Sequence, residues 1–246
     1  MFELEGRVAL VTGAGQGVGR GIAQVLARQG ATVAVNDLEL ERADATAALI
    51  AEAGGKAAVG AFDVGDIAAV TEGVAALEAE LGPLDILVNN AGIPPSMTTV
   101  QFRDMHPDAW RPYIDVNLYG VMNCVKATVD GMCERGWGRI VTISSGAGTS
   151  GLNIGISAYA AGKGGALSFM RHLAMEVAQY GVTANTLALG LMGRGDGTPM
   201  PELARRVPLG RLGTGEDVGA AVAWLAAEGE WVTGQTIGLN GGSLTS

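Results

Sequence analysis

Two cysteines and two histidines in 246 residues leave little for a disulfide framework or a metal centre. Cys124 and Cys133 have neither CxxC nor metal-ligand spacing, so they read as free thiols of a reducing compartment. His106 and His172 stand outside any motif, and no metal is expected. Cations are scarce as well: 16 Lys and Arg face 25 Asp and Glu, giving a net charge of −9. Sequence-independent affinity for nucleic acid comes from clustered basic residues, so nucleic acid is excluded as a partner. No run reaches the roughly 18 uninterrupted apolar residues of a membrane span. The start, MFELEGRVALVTG, carries acids where a secretory signal has a basic and then an apolar stretch. A soluble, cytoplasmic protein without membrane association is expected.

Glycine is what the chain has in excess: 39 residues, roughly twice the usual share of about 7%. Short apolar runs at 7–12, 32–37, 57–64, 85–90, 139–145, 182–189 and 236–240 alternate with longer stretches of helical spacing. These helical stretches follow Gly17 and lie near 40–53, 67–81, 107–135, 157–180 and 216–227. Such alternation is the βαβ signature of a parallel sheet covered on both faces. No repeat or linker divides the chain, so a single domain over 1–246 is predicted. The irregular segment 190–202 follows a strand and should overhang the carboxyl edge of the sheet, where ligands bind in open α/β folds. A mobile lid over 190–207 is expected there.

The first run leads into TGAGQGVG, with glycines at 13, 15, 17 and 19, and then into a helix. Backbone amides at such a helix start can face a pyrophosphate, and glycine removes side chains that would block its approach. Asp37 ends the second run, about twenty residues on, where a carboxylate accepts hydrogen bonds from ribose hydroxyls and repels a 2′-phosphate. Gln16 supplies no cation for that phosphate either, so NAD is favoured over NADP. In SAYAAGKGG, at 157–165, a helix would put Tyr159 and Lys163 on one face, one turn apart. A neighbouring ammonium favours the phenolate, which makes Tyr159 a candidate proton acceptor.

With NNAG at 89–92, Asn117 in DVNLYG and Ser144 and Ser145 in IVTISS, the chain resembles the short-chain dehydrogenase/reductase family. The likeness runs from Arg7 to Gly242 and includes VPLGRLGTGEDV and VTGQTIGLNGG. The resemblance implies a three-layer α/β Rossmann fold with a seven-stranded parallel sheet in the order 3-2-1-4-5-6-7 and helices on both faces. It implies catalysis by Asn117, Ser145, Tyr159 and Lys163. Tyr159 would exchange the substrate proton while a hydride passes to or from nicotinamide. Lys163 would lower the tyrosine pKa and bond the nicotinamide ribose. Ser145 would bond the substrate oxygen, its offset from Tyr159 being nearer the family's than that of Ser144. Asn117 would hold a water linking Lys163 to solvent.

The resemblance also implies cofactor contacts from Gly13, Gln16, Gly17, Val18, Gly19, Asp37 and Leu38. Asp63 and Val64 would border the adenine, Asn90 the adenosine ribose and Met192 the nicotinamide carboxamide, with Ala91, Gly92 and Gly190 beside them. Asn89 is a candidate structural residue. Gly162, Gly164 and Gly165 weaken a helix and so point to a close surface; the resemblance implies that this helix packs against a partner subunit, so a homotetramer or homodimer is expected, the alternative being close packing within one chain.

After the sixth run the family's Pro-Gly and following Thr are replaced by LGLMGRGDG, with Leu189 for the proline and Arg194 in place of the threonine. Leu191, Met192 and Met200 suggest an apolar pocket, with Pro94, Met97, Leu152, Asn153 and Ile156 as further walls. Arg194 is the group there that would attract an anionic substrate. The activity expected is an NAD-dependent alcohol dehydrogenase or carbonyl reductase acting on a secondary alcohol or ketone. A 3-oxoacyl-thioester reductase and a non-catalytic NAD-binding regulator are the alternatives. A sugar epimerase or dehydratase is disfavoured because no further substrate region follows Gly242.

Overall fold

Runs of Val, Ile, Leu and Ala pair in parallel throughout the computed structural model, which describes residues 2–93 and 97–245. The strands are β1 (Val8–Val11), β2 (Thr32–Asp37), β3 (Lys56–Ala61), β4 (Ile86–Asn89), β5 (Gly138–Ser145), β6 (Val182–Leu189) and β7 (Thr236–Leu239). They form one sheet in the order β3-β2-β1-β4-β5-β6-β7. The chain moves outward from β1 to β3 and then returns to place β4 on the other side of β1. At that reversal the carboxyl ends of neighbouring strands open a crevice.

The helices are α1 (Gly17–Arg28), α2 (Leu40–Glu52), α3 (Ile67–Leu81), α4 (Arg111–Ile114), α5 (Gly120–Arg135), α6 (Ser157–Val177), α7 (Pro201–Ala204) and α8 (Gly215–Ala227). Side chains alternate across a strand. Ala9 and Val11 therefore enter a core with Ile22 and Leu26 of α1 and Val218 and Val222 of α8. Val8 and Leu10 enter a second core with Val70 and Val74 of α3, Val121 and Val125 of α5, and Met170 of α6. No described helix is long and apolar enough to cross a membrane.

The stretch expected as one helix over 107–135 is broken. A 3₁₀ turn at Pro107–Ala109 precedes α4, and a π-turn at Asp115–Tyr119 separates α4 from α5. Asn117 Nδ2 donates to the Tyr113 carbonyl at 2.9 Å, the group a regular α-helix would offer to the Asn117 backbone N–H. This widens the turn and buries Asn117 completely.

The glycines of α6 are accounted for inside one chain. A Cβ on Gly162 would lie 2.8 Å from both the Tyr113 carbonyl oxygen and Asn117 Cβ, and one on Gly165 would meet Leu118 at 3.3 Å. Gly164 packs on Gly148. They let α6 close on the π-turn, so a subunit contact is not needed to explain them. Gly162→Val should destabilise the fold by roughly 1–3 kcal/mol through overpacking. The effect would be read as a lower urea midpoint with unchanged slope.

The first part of the expected mobile lid is pinned. Gly193 N donates to Gly213 O at 2.9 Å and Gly213 N to Leu191 O at 3.0 Å, which ties 191–193 to the segment before α8.

Candidate active site

β5 delivers Ser145 to the carboxyl edge of the sheet, and α6 lays Tyr159 and Lys163 across from it. Ser145 accepts a bond from Ala147 N at 3.2 Å, and its hydroxyl lies close enough to the Tyr159 phenol to act on its pKa. Ser144 instead points inward, its hydroxyl donating to the Lys163 carbonyl at 3.4 Å. Only the second serine of the pair therefore meets the tyrosine.

Lys163 is 4% exposed, its Nζ donating to the Ile143 carbonyl at 2.8 Å. Burial lowers its pKa to about 8. The Nζ lies 5.9 Å from the centre of the Tyr159 ring. Burial also pushes the Tyr159 phenol above its ordinary value, and the polar Ser145 hydroxyl beside it offsets part of that rise. The sequence argument, in which Lys163 and an oxidised nicotinamide favour the phenolate, meets an opposing effect within the chain itself. The ammonium is turned toward a strand carbonyl, and desolvation is the larger effect on the phenol.

Lys163 Nζ and Asn117 Oδ1 converge on Gly92: a Cβ there would collide with the amine and lie 2.8 Å from the amide oxygen. That Asn117 oxygen is buried without a hydrogen-bond partner among the described residues, although its Nδ2 is satisfied. A buried acceptor left open in this way is suited to a bridging water.

On the other side of the crevice, the glycine turn is built around its own backbone. Asp37, 6% exposed, accepts from Gly15 N at 3.0 Å and from Glu39 N at 3.2 Å. A Cβ on Gly15 would lie 2.6 Å from the same carboxylate. The start of α1 carries no side-chain cap from Gln16 and no acid in its first turn, so its amides are left for an anion. These features fit a dinucleotide diphosphate, with the Asp37 carboxylate beside the turn.

Other expected residues are placed differently. Asn90 Nδ2 donates to Thr12 O at 2.8 Å and Gly13 O at 3.0 Å, which makes its side chain a strut between strand ends. Its side-chain donors are thus taken before any ribose arrives. Asn89 is bound to Thr142 Oγ1 at 3.2 Å, in keeping with a structural role. Asp63 is exposed and bonds Gly65 N, while the neighbouring Val64 is buried; Leu38 is exposed beyond β2. Gly190 has Asn240 packed against it. Ala91 N donates to Thr12 Oγ1 at 3.1 Å.

Leu191 and Met192 were expected at the nicotinamide and substrate. They line a separate cavity of about 160 Å³ with Val207, Leu209, Val218 and Leu239, and the catalytic candidates do not border it. The Met192 side chain packs toward the core and Gly213, which explains the displacement. Leu152 and Asn153 are exposed in the loop before α6, Ile156 and Met97 are half-buried, and Arg194 is exposed near Gly17. Pro94 lies outside the described residues.

Sequence reasoning missed Thr12, whose hydroxyl accepts from both Asn90 N and Ala91 N and clamps β1 to the end of β4. It also missed Tyr113, whose carbonyl holds Asn117. Thr12 adjoins the glycine motif and was there to be found; a backbone carbonyl leaves no trace in residue type. Cys124 has no chemistry here, because burial pushes its thiol up to about 12.

A family model described as short chain dehydrogenase matches residues 7–200. The chain is 38% identical to a 3-oxoacyl-(acyl-carrier-protein) reductase of Vibrio harveyi, covering 98% of each. It is 40% identical to an acetoacetyl-CoA reductase of Shinella zoogloeoides, over 97% of this chain and 98% of that one. A solved 3-oxoacyl-(acyl-carrier protein) reductase from Brucella melitensis with bound NAD superposes with a TM-score of 0.89. The identity there is 36%, covering 99% of this chain and 93% of that one. The chain belongs to the short-chain dehydrogenase/reductase family and is an oxidoreductase.

Proposed function

We propose that this protein is an NAD-linked enzyme interconverting a secondary alcohol and a ketone, with Tyr159 as general acid and base. The observation that carries the reading is the Ser145 hydroxyl set against the Tyr159 phenol, next to the buried Lys163. A nicotinamide, when bound, supplies the hydride acceptor or donor. Ser145 and Tyr159 grip the substrate oxygen from two sides. Tyr159 takes the proton in oxidation and returns it in reduction. Lys163 holds positive charge below about pH 8, and Asn117 Oδ1 accepts from a water through which the proton leaves.

Within that class the names of the relatives favour a 3-oxoacyl thioester and its 3-hydroxy product. For NAD over NADP the support is Asp37, a carboxylate already fixed by two backbone amides where a 2′-phosphate would be repelled. The whole chain would act as one catalytic domain, with 190–207 as its lid. The test is NADH formation across secondary alcohols, hydroxy acids and 3-hydroxyacyl thioesters, with NADP in parallel. A preference for NADP would overturn the Asp37 reading.

Asp37→Ser should move selectivity toward NADP by about tenfold, the order of one charge-assisted interaction. It should also lower stability by about 1 kcal/mol, because Gly15 N loses its acceptor. Ratios of kcat/KM for the two cofactors and a thermal melt would read both effects.

A further inference from the structure

We propose that the Tyr113 hydroxyl is a positioning group for the substrate, holding in place the wall that 97–100 and 152–156 form beside Ser145 and Tyr159. The inference rests on the alcohol–ketone reading above. Two irregular segments reach this side of the crevice. One follows Gly92, on which Lys163 Nζ and Asn117 Oδ1 converge; the other runs from the end of β5 into α6 at Ser157. They are tied to each other, Val100 N donating to Gly155 O at 2.8 Å. Gly155 has a φ of +69°, and a Cβ there would lie 2.9 Å from the Val100 carbonyl carbon. The first segment is tied in turn to α4. Tyr113 Oη accepts from Thr98 N at 3.1 Å and donates to Thr98 O at 3.2 Å. At its other end the same residue accepts from Asn117 Nδ2 at 2.9 Å and lies against Gly162 of α6. Tyr113 thus joins the substrate wall at its hydroxyl and the proton route at its carbonyl.

Packing alone does not fix this wall. Thr98 is exposed, and with Val100, Met105, His106 and Pro112 it borders an open cavity of about 490 Å³. A segment with few buried apolar contacts keeps its place through its hydrogen bonds. The Tyr113 ring is buried, so its hydroxyl is a fixed post, and a phenol that donates and accepts satisfies both backbone groups of Thr98. That hydroxyl makes no bond to the catalytic candidates among the described residues. Ser145 is placed by β5, and Tyr159 and Lys163 by α6. Losing the hydroxyl should therefore loosen the fit of the substrate and leave the hydride and proton steps as they are.

The test is Tyr113→Phe, which keeps the ring and the carbonyl, with Gly155→Ala as a second lesion in the same wall. Steady-state kinetics with 3-hydroxybutyryl-coenzyme A and 2-butanol, NADH titration and amide hydrogen exchange are measured for the single variants and the double variant. Tyr113→Phe should raise the substrate KM roughly fivefold, the order of the lost hydrogen bonds. Its kcat, the pH profile of kcat and NADH affinity should stay within about twofold of wild type. The Thr98 amide should lose its protection from exchange. Gly155→Ala should raise the same KM, and the double variant should exceed the larger single effect by little, because both lesions loosen one wall. A shifted pH profile of kcat at constant KM would overturn the proposal by moving the hydroxyl into the proton route. A lower melting temperature with KM and Thr98 exchange unchanged would overturn it too, leaving Tyr113 a packing residue. If wild type oxidised neither substrate, the alcohol–ketone reading would fall, while Thr98 exchange in Tyr113→Phe would still decide whether the hydroxyl holds the wall.

Discussion

Tyr159→Phe is expected to lower turnover by about 10²–10⁴-fold, the usual contribution of a general acid–base group, with NADH affinity within about twofold of wild type. The ring and its packing remain, so the fold should survive, and only the hydroxyl facing Ser145 is lost. Single-turnover kinetics alongside NADH fluorescence titration separate the two effects. A mutant as active as wild type would remove Tyr159 from the chemistry and leave a nucleotide-binding protein without an assigned base. The pH profile carries the same logic. Burial raises the phenol pKa, so the phenolate fraction grows as pH climbs above neutrality. Oxidation measured as kcat/KM should rise with pH over that range, and reduction, which needs the protonated phenol, should decline.

Lys163→Met should also abolish most activity, yet make the protein more stable at pH 7. The amine has a pKa of about 8 in the fold against an ordinary value of 10.5 because burial penalises the charged form. That gap corresponds to about 3 kcal/mol of destabilisation wherever the group is protonated in both states. Methionine avoids this cost but leaves the Ile143 carbonyl unbonded, about 1–2 kcal/mol against it. A net gain of about 1–2 kcal/mol at pH 7 follows. The sign with pH is fixed: between about 8 and 10.5 the unfolded chain binds more protons than the native one, so wild-type stability rises through that window relative to the mutant. Urea midpoints for both proteins at pH 7 and pH 9.5 check it. A mutant less stable than wild type at pH 7 would contradict a strained, desolvated ammonium and point to Lys163 as a net structural asset. Activity held at a thermodynamic cost is common in enzyme sites.

The sheet was legible because each strand has its own short apolar run and each helix its own period. Strand order and the cluster of Ser145, Tyr159, Lys163 and Asn117 followed from motifs read in register. The π-turn at 115–119 was not legible, since one residue more per turn over so short a span does not disturb the apolar spacing around it. The role of Gly162 escaped because its neighbour is a backbone oxygen on a segment about fifty positions away. The strut made by Asn90 was hidden for a similar reason: an amide beside a ligand crevice looks available until its donors are found on Thr12 and Gly13. The fate of Leu191 and Met192 turned on the ladder to Gly213, a pairing of irregular segments that neither hydrophobicity nor period announces.

The wide turn that carries Asn117 gives the site an unusual sensitivity to chain length. One residue removed from 115–119 would let α4 and α5 fuse into a regular helix, rotating whatever precedes the cut by about 100° relative to α5. Tyr113 would swing away from α6, and the open oxygen beside Gly92 would go with it. Side-chain substitutions at the positions of this segment flanking Asn117 can be absorbed one at a time, whereas its length cannot change without dismantling the proton route.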